Sequence, residues 1–508
     1  MESPKNLLVM SDLHLNEGWI AELGDYSPRE DFYFDDDLFA LLRHHHALCA
    51  EPRYGGHPWL IIFNGDTFDF DQVVALPQEG EELLRVCGVA THAELGKRAR
   101  FGLSTSPSES RWKMQCIARG HPHFFAALGW FIAHGHQVLF IKGNHDVELH
   151  WPEVRAEARC CVLRAYRAYQ QQHPDAPPLS AADVRANLRF EPWFYYDAYL
   201  RVYVEHGGQY EPTNHFANYL DPVLPQPPPR IDMPDGMALT RYVLNRLETE
   251  YPYVDNVRPI TRAFAWMFAD NPLRATRAFL GRARDLAIGW TYMLRKRRHA
   301  TNGAEAAGPS VPRERHNIPA PLVGDIKDAA RTRAQFSLRE WSGVLIDQGL
   351  LGGLTLLGLA SAGMGLVKLT RRDTSRQAAR YFLVAMGLLN VGHLWSEVVN
   401  DDLRLDYMPN VAADLAERFR AYPFPLRAIL LGHSHIARRV WLATEQMWMV
   451  NTGTWIPMLV QRPQDWERHL TFARLASGSV ADVETPPEIL EWHPETDTVL
   501  PLDDTRLA

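Results

Sequence analysis

The chain has 508 residues, enough for two or three ordinary domains or for one large domain with insertions. Its composition, 46% hydrophobic and 22% charged, is that of an average globular protein, and its net charge of -8 argues against broad electrostatic binding to nucleic acid. The five cysteines are odd in number and lack C-x-x-C spacing, which predicts reduced thiols rather than a disulfide framework or a zinc ribbon. No signal-peptide pattern precedes the first apolar run, so we expect a cytoplasmic location.

Short apolar runs in the first part of the chain end abruptly in glycine, aspartate, asparagine or histidine, and each predicts a buried strand. Helical patterns lie between the early runs, and this alternation indicates an α/β sheet. The polar residues fall at the carboxyl ends of the strands, the edge where α/β sheets usually bind ligands. The predicted strands lie within 6–15, 59–70, 136–146 and 199–210, and the predicted helices within 35–50 and 124–135.

The sequence changes character in the central segment, 212–425. Residues 222–236 are proline-rich and predict an extended connection, and 279–300 show the pattern of a basic amphipathic helix. An uncharged run of 19 residues at 349–367 is just long enough to cross a bilayer core, and a second apolar run follows it. The two runs predict an apolar hairpin within 341–395, which either caps the neighbouring domain or contacts a membrane.

Strand patterns return near the end of the chain, at 428–436, 447–455 and 469–477. The central segment therefore reads as an insertion that splits one strand-rich domain into two parts. The predicted boundaries are 1–211 for the first part, 212–425 for the mainly helical insertion and 426–508 for the second part.

A pair of histidines, His433 and His435, follows a predicted strand and Gly432 in the stretch LLGHSHIARR. Neutral imidazole is the commonest metal ligand in proteins, but an isolated H-x-H pair is a weak signal. The case for a metal site depends on further ligands that follow other strands. Such residues occur in the motifs D-x-H (Asp12, His14), G-D-x-x-D (Gly65, Asp66, Asp69), G-N-H-D (Gly143, Asn144, His145, Asp146), H-G (His206, Gly207) and G-H-x-H (Gly432, His433, His435).

These five motifs, in this order, resemble those of the calcineurin-like metallophosphoesterase superfamily. The resemblance covers roughly residues 6–210 and 425–485. It implies an α/β fold, a four-layer α-β-β-α sandwich, here with a large, mainly helical insertion. One departure is Gly208, which stands where relatives often have a second histidine or an aspartate.

The resemblance also implies a dinuclear metal centre. Two divalent cations about 3.5–4 Å apart need a shared carboxylate to offset their repulsion, and the family's bridging position corresponds to Asp66. Mixed imidazole and oxygen ligands favour manganese, with iron, zinc, cobalt or nickel as alternatives. Asp12, His14 and His435 would complete the ligand shell of the first metal. Asn144, His206 and His433 would complete that of the second metal. The full predicted ligand set is Asp12, His14, Asp66, Asn144, His206, His433 and His435.

The implied reaction is hydrolysis of a phosphomonoester, phosphodiester or pyrophosphate by a hydroxide that bridges the two metals. By the same resemblance, His145 stabilises the developing charge or protonates the leaving oxygen, and Asp146 orients His145 or tunes its pKa. Asp69 is interpreted as a structural residue or as one that contacts the ligands without binding metal itself. The run His44–His46 is interpreted as a solvated helix face, because consecutive residues fan around a helix axis.

Three alternative functions stay open at this stage. One is a lipid-linked pyrophosphate hydrolase at the membrane surface, reached through the central insertion and its basic helix. The others are a nuclease, which only the basic patch at 295–298 supports, and a non-catalytic scaffold of the same fold. The expected partners are thus a phosphoester substrate and a membrane surface, with no specific nucleic acid.

Overall fold

The computed structural model describes residues 4–224, 227–257, 318–333, 407–459, 466–479 and 485–502, with short pieces at 266–267, 270–281, 288, 361, 377, 380–381 and 383–384. Its strands are β1 Asn6–Met10, β2 Trp19–Ile20, β3 Asp25–Tyr26, β4 Trp59–Asn64, β5 Gln137–Ile141, β6 Leu188–Glu191, β7 Phe194–Asp197, β8 Val202–Glu205, β9 Ala428–Leu431, β10 Arg438–Leu442, β11 Met447–Asn451, β12 Met458–Leu459, β13 Trp466–Glu467, β14 Thr471–Leu475, β15 Glu488–His493 and β16 Thr498–Pro501. The helices are α1 Asp35–Leu48, α2 Glu81–Cys87, α3 Lys97–Phe101, α4 Pro107–Gly120, α5 Pro122–Ala133, α6 Pro152–Gln172, α7 Ala181–Asn187, α8 Asp235–Leu239 and α9 Asn245–Leu247, followed by Pro272–Gly281, 320–333 and Met408–Phe419.

Two sheets form the centre of the molecule. The first has seven strands in the order β16-β15-β14-β1-β4-β5-β6, and the second has five in the order β10-β11-β9-β8-β7. Strands β1, β4, β5 and β6 run parallel to one another, as do β8, β9 and β11. Every strand predicted from an apolar run is present, and the helices predicted near 35 and 124 are α1 and α5. The prediction of an α/β sheet is confirmed.

Burial on both faces explains why the central strands are continuous apolar runs. All five residues of β1 are buried. Alternate side chains of a strand point to opposite faces, so Leu7 and Val9 pack in the apolar cluster between the sheets, with Val204 of β8. Leu8 and Met10 point the other way, into the cluster that contains the helices α1, α4, α5 and α6.

A helix covers the outer face of the second sheet as well. The ring of Phe419, at the end of the Met408–Phe419 helix, lies 5.2 Å from the ring of Tyr203 on β8, measured between centroids. The layers are therefore helix, sheet, sheet and helix, and the four-layer α-β-β-α sandwich is confirmed. The second sheet combines β7 and β8 with strands that follow the insertion, so both parts of the chain build one domain.

The described part of the central segment is helical and packs on this domain. Met237 of α8 and Ile326 of the 320–333 helix are both fully buried in the large apolar cluster. Among the described residues, no helix is long and apolar enough to cross a membrane. The hairpin predicted within 341–395 lies outside the described residues except at isolated positions, so its cap or membrane role stays a prediction, as do the domain boundaries.

The His44–His46 run differs from its interpretation as a solvated face. His45 is fully buried. Its ring lies edge-on to that of Trp59, with centroids 5.0 Å apart, and Nδ1 donates to the Leu41 carbonyl at 2.9 Å. The interpretation is wrong for His45, because α1 turns that side chain toward the first sheet.

A buried ion pair joins the loop before α1 to the junction between α4 and α5. His121 is fully buried, with Nε2 3.2 Å from Glu30 and Nδ1 3.0 Å from Asp35. Burial alone would lower the pKa of His121, but the two carboxylates outweigh it and raise that pKa to about 10. The ring is therefore a structural cation near neutral pH.

We expect His121→Ala to lower the free energy of unfolding by about 3 kcal/mol at pH 6, since it leaves Glu30 buried without its cation. Because the folded pKa of His121 lies above the unfolded value, this contribution is complete below pH 6.5 and is lost as pH rises through about 10. Denaturant unfolding of the variant and the unchanged protein at pH 6 and pH 10.5 measures the difference. His123→Ala is the matched control, because His123 is exposed and forms its ion pair with the equally exposed Asp36. An equal gap at both pH values would contradict the ionic role.

Candidate metal centre

The carboxyl ends of five parallel strands meet at one edge of the two sheets. Because neighbouring parallel strands end side by side, residues far apart in the sequence come together there. The structure brings all the predicted site residues to this edge. Asp12 and His14 follow β1, Asp66 follows β4, Asn144, His145 and Asp146 follow β5, His206 follows β8, and His433 and His435 follow β9.

One group of potential ligands consists of Asp12, His14 and His435, whose ligand atoms lie within 4.8 Å of one another. Asp12 Oδ1 is 3.2 Å from His435 Nε2 and 4.0 Å from His14 Nε2. The other oxygen, Asp12 Oδ2, accepts the backbone N–H of His433 at 2.9 Å. The backbone that follows β9 therefore holds Asp12 through Oδ2, while Oδ1 faces the imidazoles of His435 and His14.

A second group consists of Asp66, His206 and His433, again within 4.8 Å of one another. His206 Nε2 lies 3.0 Å from Asp66 Oδ2 and 3.2 Å from Asn144 Oδ1. His206 Nδ1 donates to the Asn64 carbonyl at 2.9 Å, and this contact selects the tautomer whose Nε2 lone pair faces the group. The structure thus places His433 and His435 in different groups, as the sequence predicted.

The buried atoms of these groups fit divalent cations. Asp12 Oδ1, His14 Nε2 and His433 Nδ1 are buried and have no hydrogen-bond partner within the described part of the chain. Burying polar atoms in this way is costly unless another species supplies the interaction. All three are atoms that can offer a lone pair, so bound cations would supply it, and the mixture of imidazole nitrogen and carboxylate oxygen suits transition metals.

Five of these residues have a left-handed backbone. The φ angle is 56° at Asp12, 54° at His14, 50° at Asp66, 69° at His433 and 61° at His435. Residues other than glycine rarely adopt positive φ, and each such residue costs on the order of 1 kcal/mol. The surrounding fold must hold this strain, as is common at functional sites.

Tight packing explains the glycines of the motifs. A Cβ at Gly143 would lie 2.2 Å from Asp66 Oδ1, and a Cβ at Gly208 would lie 2.5 Å from Asn144 Oδ1. The departure from the family pattern at Gly208 therefore has a structural reason, because a side chain there would displace Asn144.

The two buried carboxylates are kept ionised by the histidines around them. Burial alone would raise the pKa of Asp12, but His435 and His206 outweigh it and hold that pKa below its usual value. The pKa of Asp66 is likewise well below its usual value, since His206 and His145 outweigh the effect of burial. Both side chains therefore keep the charge that a metal ligand needs.

His145 is positioned by Asp69, not by Asp146. His145 Nδ1 lies 2.8 Å from Asp69 Oδ2, and the same oxygen lies 3.3 Å from His14 Nδ1. The carboxylate of Asp146 instead accepts the backbone N–H groups of Thr67 and Gly143, at 2.9 and 2.6 Å. The orienting role predicted for Asp146 is corrected accordingly: its two oxygens hold the backbone of neighbouring loops.

The environment of His145 favours its protonated form. Burial alone would lower the pKa of His145, but Asp69 and Asp66 outweigh it and raise that pKa to about 10. Its side chain is 13% exposed, more than Asp69 or Asp66, so a ligand at the sheet edge can reach it.

Sequence reasoning missed Glu211 entirely. Glu211 Oε2 lies 2.5 Å from His433 Nε2, which leaves the buried Nδ1 as the ring nitrogen without a hydrogen-bond partner in the described part of the chain. Glu211 also accepts hydrogen bonds from the side chains of Thr213 and Asn214. It belongs to no motif, so the sequence carried no signal for it. Asp69, in contrast, is the last residue of G-D-x-x-D, and the sequence analysis already interpreted it as a residue other than a ligand.

The model of the calcineurin-like phosphoesterase family matches residues 5–283. This range contains the first four motifs, and the fold brings His433 and His435 of the fifth motif beside them. No curated protein and no solved structure matches the chain. Because the matched range makes up more than half of the 508 residues, the protein belongs to the calcineurin-like phosphoesterase family.

Proposed function

We propose that the protein is a hydrolase that cleaves a phosphomonoester, phosphodiester or pyrophosphate with the help of two divalent cations, manganese being preferred. The observation that carries this proposal is the pair of buried ligand groups at one sheet edge, with Asp66 in the second group and beside His145. The family typically uses two divalent metals, and the donor set fits them.

The residues divide the work of the reaction between them. Bound cations would supply positive charge that neutralises phosphate oxygens and lowers the pKa of coordinated water. Asp66 would hold both cations at once, and Asn144 would add an oxygen to the second. His145, with Nδ1 on Asp69, holds a proton at Nε2 that it gives to the leaving oxygen.

A lipid-linked pyrophosphate is the second candidate substrate. The short β2–β3 hairpin follows the Asp12–His14 motif directly and exposes two apolar side chains, Trp19 at 47% and Leu23 at 63%. Exposed apolar side chains on a hairpin that follows the Asp12–His14 motif in the chain support binding of an acyl or prenyl chain. Association with a membrane surface through the central insertion is part of this second proposal.

A direct test uses the full-length protein purified without chelator. Metal analysis should find about two transition-metal ions per chain. The manganese-loaded protein should then hydrolyse at least one member of a panel of phosphomonoesters, phosphodiesters, nucleotide sugars and lipid pyrophosphates. Turnover of the lipid pyrophosphate, together with sedimentation with anionic liposomes, would favour the second candidate. Protein with two metals that cleaves no member of the panel would overturn the hydrolase proposal.

A further inference from the structure

Glu211 belongs to neither ligand group, yet its carboxylate contacts one of the ligands. Glu211 Oε2 lies 2.5 Å from Nε2 of His433, whose side chain is only 2% exposed. A carboxylate can only accept a hydrogen bond, so in this contact Nε2 of the imidazole carries the proton and donates it. Nδ1 is then the nitrogen of His433 that keeps a lone pair.

The backbone of His433 is anchored separately from its ring. Its N–H donates to Asp12 Oδ2 at 2.9 Å. This contact fixes the main chain but leaves the bond between Cβ and the ring free to rotate, so it does not decide which nitrogen faces Asp66 and His206. The ring contact with Glu211 supplies that decision, because it holds Nε2 and leaves the buried Nδ1 without a hydrogen-bond partner in the described part of the chain.

The carboxylate of Glu211 is itself held at both oxygens. Oε1 accepts a hydrogen bond from the Thr213 hydroxyl at 3.1 Å, and Oε2 accepts one from the Asn214 side-chain amide at 2.8 Å. The backbone N–H of Asn214 also donates to the Glu211 carbonyl at 3.1 Å, which closes a tight turn over residues 211–214. A side chain ordered in this way can fix a neighbouring ring precisely.

Helix α8 of the central segment supports this turn. The N–H of Gly236 donates to the Thr213 carbonyl at 2.8 Å. A Cβ at Gly236 would lie 2.3 Å from Asn214 Oδ1, so the helix approaches the turn more closely than any side chain would allow. The first described helix of the central segment thus stabilises the turn that presents Glu211 to His433.

The two histidines of the second group differ in what holds them. His206 Nδ1 donates to a neutral group, the Asn64 carbonyl, at 2.9 Å. His433 donates to a carboxylate. A carboxylate partner makes an imidazole a more basic ligand and brings negative charge toward the position of a cation, so the Glu211 contact strengthens cation binding more than a carbonyl contact does.

We propose that Glu211 is a positioning residue for the second cation: it holds the proton of His433 at Nε2, so that Nδ1 binds the cation together with Asp66 and His206. This inference rests on the two-metal hydrolase proposed above. Glu211 acts through the imidazole of a second-group ligand, and the printed contacts of its carboxylate include no ligand of the first group. Its replacement is therefore expected to weaken one of the two cations selectively.

The test measures Mn²⁺ binding to full-length protein from which metal has been removed. Isothermal titration should resolve two ions per chain for the unchanged protein. Glu211→Gln keeps the shape of the side chain but removes its charge, and it should weaken one ion by about tenfold to a hundredfold, the usual effect of losing such a partner, while the other ion binds as before. Asp221→Asn is the matched control, because Asp221 is similarly exposed, at 24%, and faces His150, which belongs to neither group. The control should bind both ions as the unchanged protein does.

Three results would overturn the inference. Equal affinity of Glu211→Gln and the unchanged protein for both ions would show that Glu211 does not act on the metal centre, while the hydrolase proposal would stand. Equal weakening of both ions would indicate a general disturbance of the site rather than positioning of His433. An unchanged protein that binds fewer than two ions would refute the two-metal centre and this inference with it. If Glu211→Gln melts at a much lower temperature than the unchanged protein, Glu211→Asp serves in its place, because it withdraws the carboxylate from Nε2, and the same selective loss is expected.

Discussion

Replacing Asp66 with asparagine is expected to remove metal from both ligand groups and to lower kcat/KM by roughly 10⁴-fold, since two cations each supply several kcal/mol of charge stabilisation. Asp66 Oδ2 lies 3.0 Å from His206 Nε2, and Oδ1 accepts the backbone N–H of His145 at 2.8 Å. Asparagine has nearly the same shape, so the variant should fold. The lost quantity is the negative charge that offsets the repulsion between two cations.

Metal analysis and steady-state kinetics of the purified variant measure this effect. Asp146→Asn is the matched control, because Asp146 is an equally buried aspartate whose oxygens bind backbone N–H groups. The control should keep its metal, although the loops it holds make a loss of stability of about 1–3 kcal/mol expected. Retention of about two ions per chain by Asp66→Asn would show that Asp66 is not the shared ligand.

His145→Ala is expected to keep nearly all the metal and to lower kcat by roughly 10²–10⁴-fold, the usual size of a lost general acid. The structure gives this separation a physical basis. His145 lies at the edge of the ligand groups with Nδ1 on Asp69, and its 13% exposed side chain is more accessible than the carboxylates behind it. Loss of metal from the variant would contradict the assigned role.

Variants of the two candidate orienting residues then distinguish Asp69 from Asp146. The Asp69 carboxylate raises the pKa of His145, so Asp69→Asn should lower that pKa and move the alkaline limb of the kcat profile to lower pH. Asp146→Asn should leave the position of this limb nearly unchanged, because Asp146 binds the backbone of Thr67 and Gly143. A larger shift in Asp146→Asn than in Asp69→Asn would restore the assignment made from the sequence.

Local sequence was sufficient for the strands that lie in apolar runs and for the motif residues that meet at the sheet edge, but not for Glu211. The apolar run of β1 is buried on both faces, and the apolar run of β9 likewise ends where His433 and His435 begin. Such patterns are local, because a run of apolar residues and the polar residues that follow it are consecutive in the sequence. The order of the motifs then indicated the family, and the family implied the sheet edge at which they meet.

Side-chain partners depended on packing that no local pattern encodes. Asp146 is adjacent to His145 in the chain, and Asp69 belongs to the preceding motif, so both were candidates to contact the ring. Only the direction of the backbone after β4 and β5 decides that Asp69 does so. Glu211 contacts His433 across 222 positions of sequence, and no spacing rule reaches that far. Long-range contacts of this kind follow from sheet pairing, which the sequence specifies only collectively.

The sequence by itself therefore determined the buried strands predicted from apolar runs, the motif residues and the family that these motifs indicate. The tertiary structure alone decided which ring nitrogens and oxygens face one another, and it revealed the left-handed backbone at Asp12, Asp66 and His433. The physical reason is that strand identity arises from neighbouring residues, whereas side-chain direction and charge clustering arise from how the strands are paired and packed.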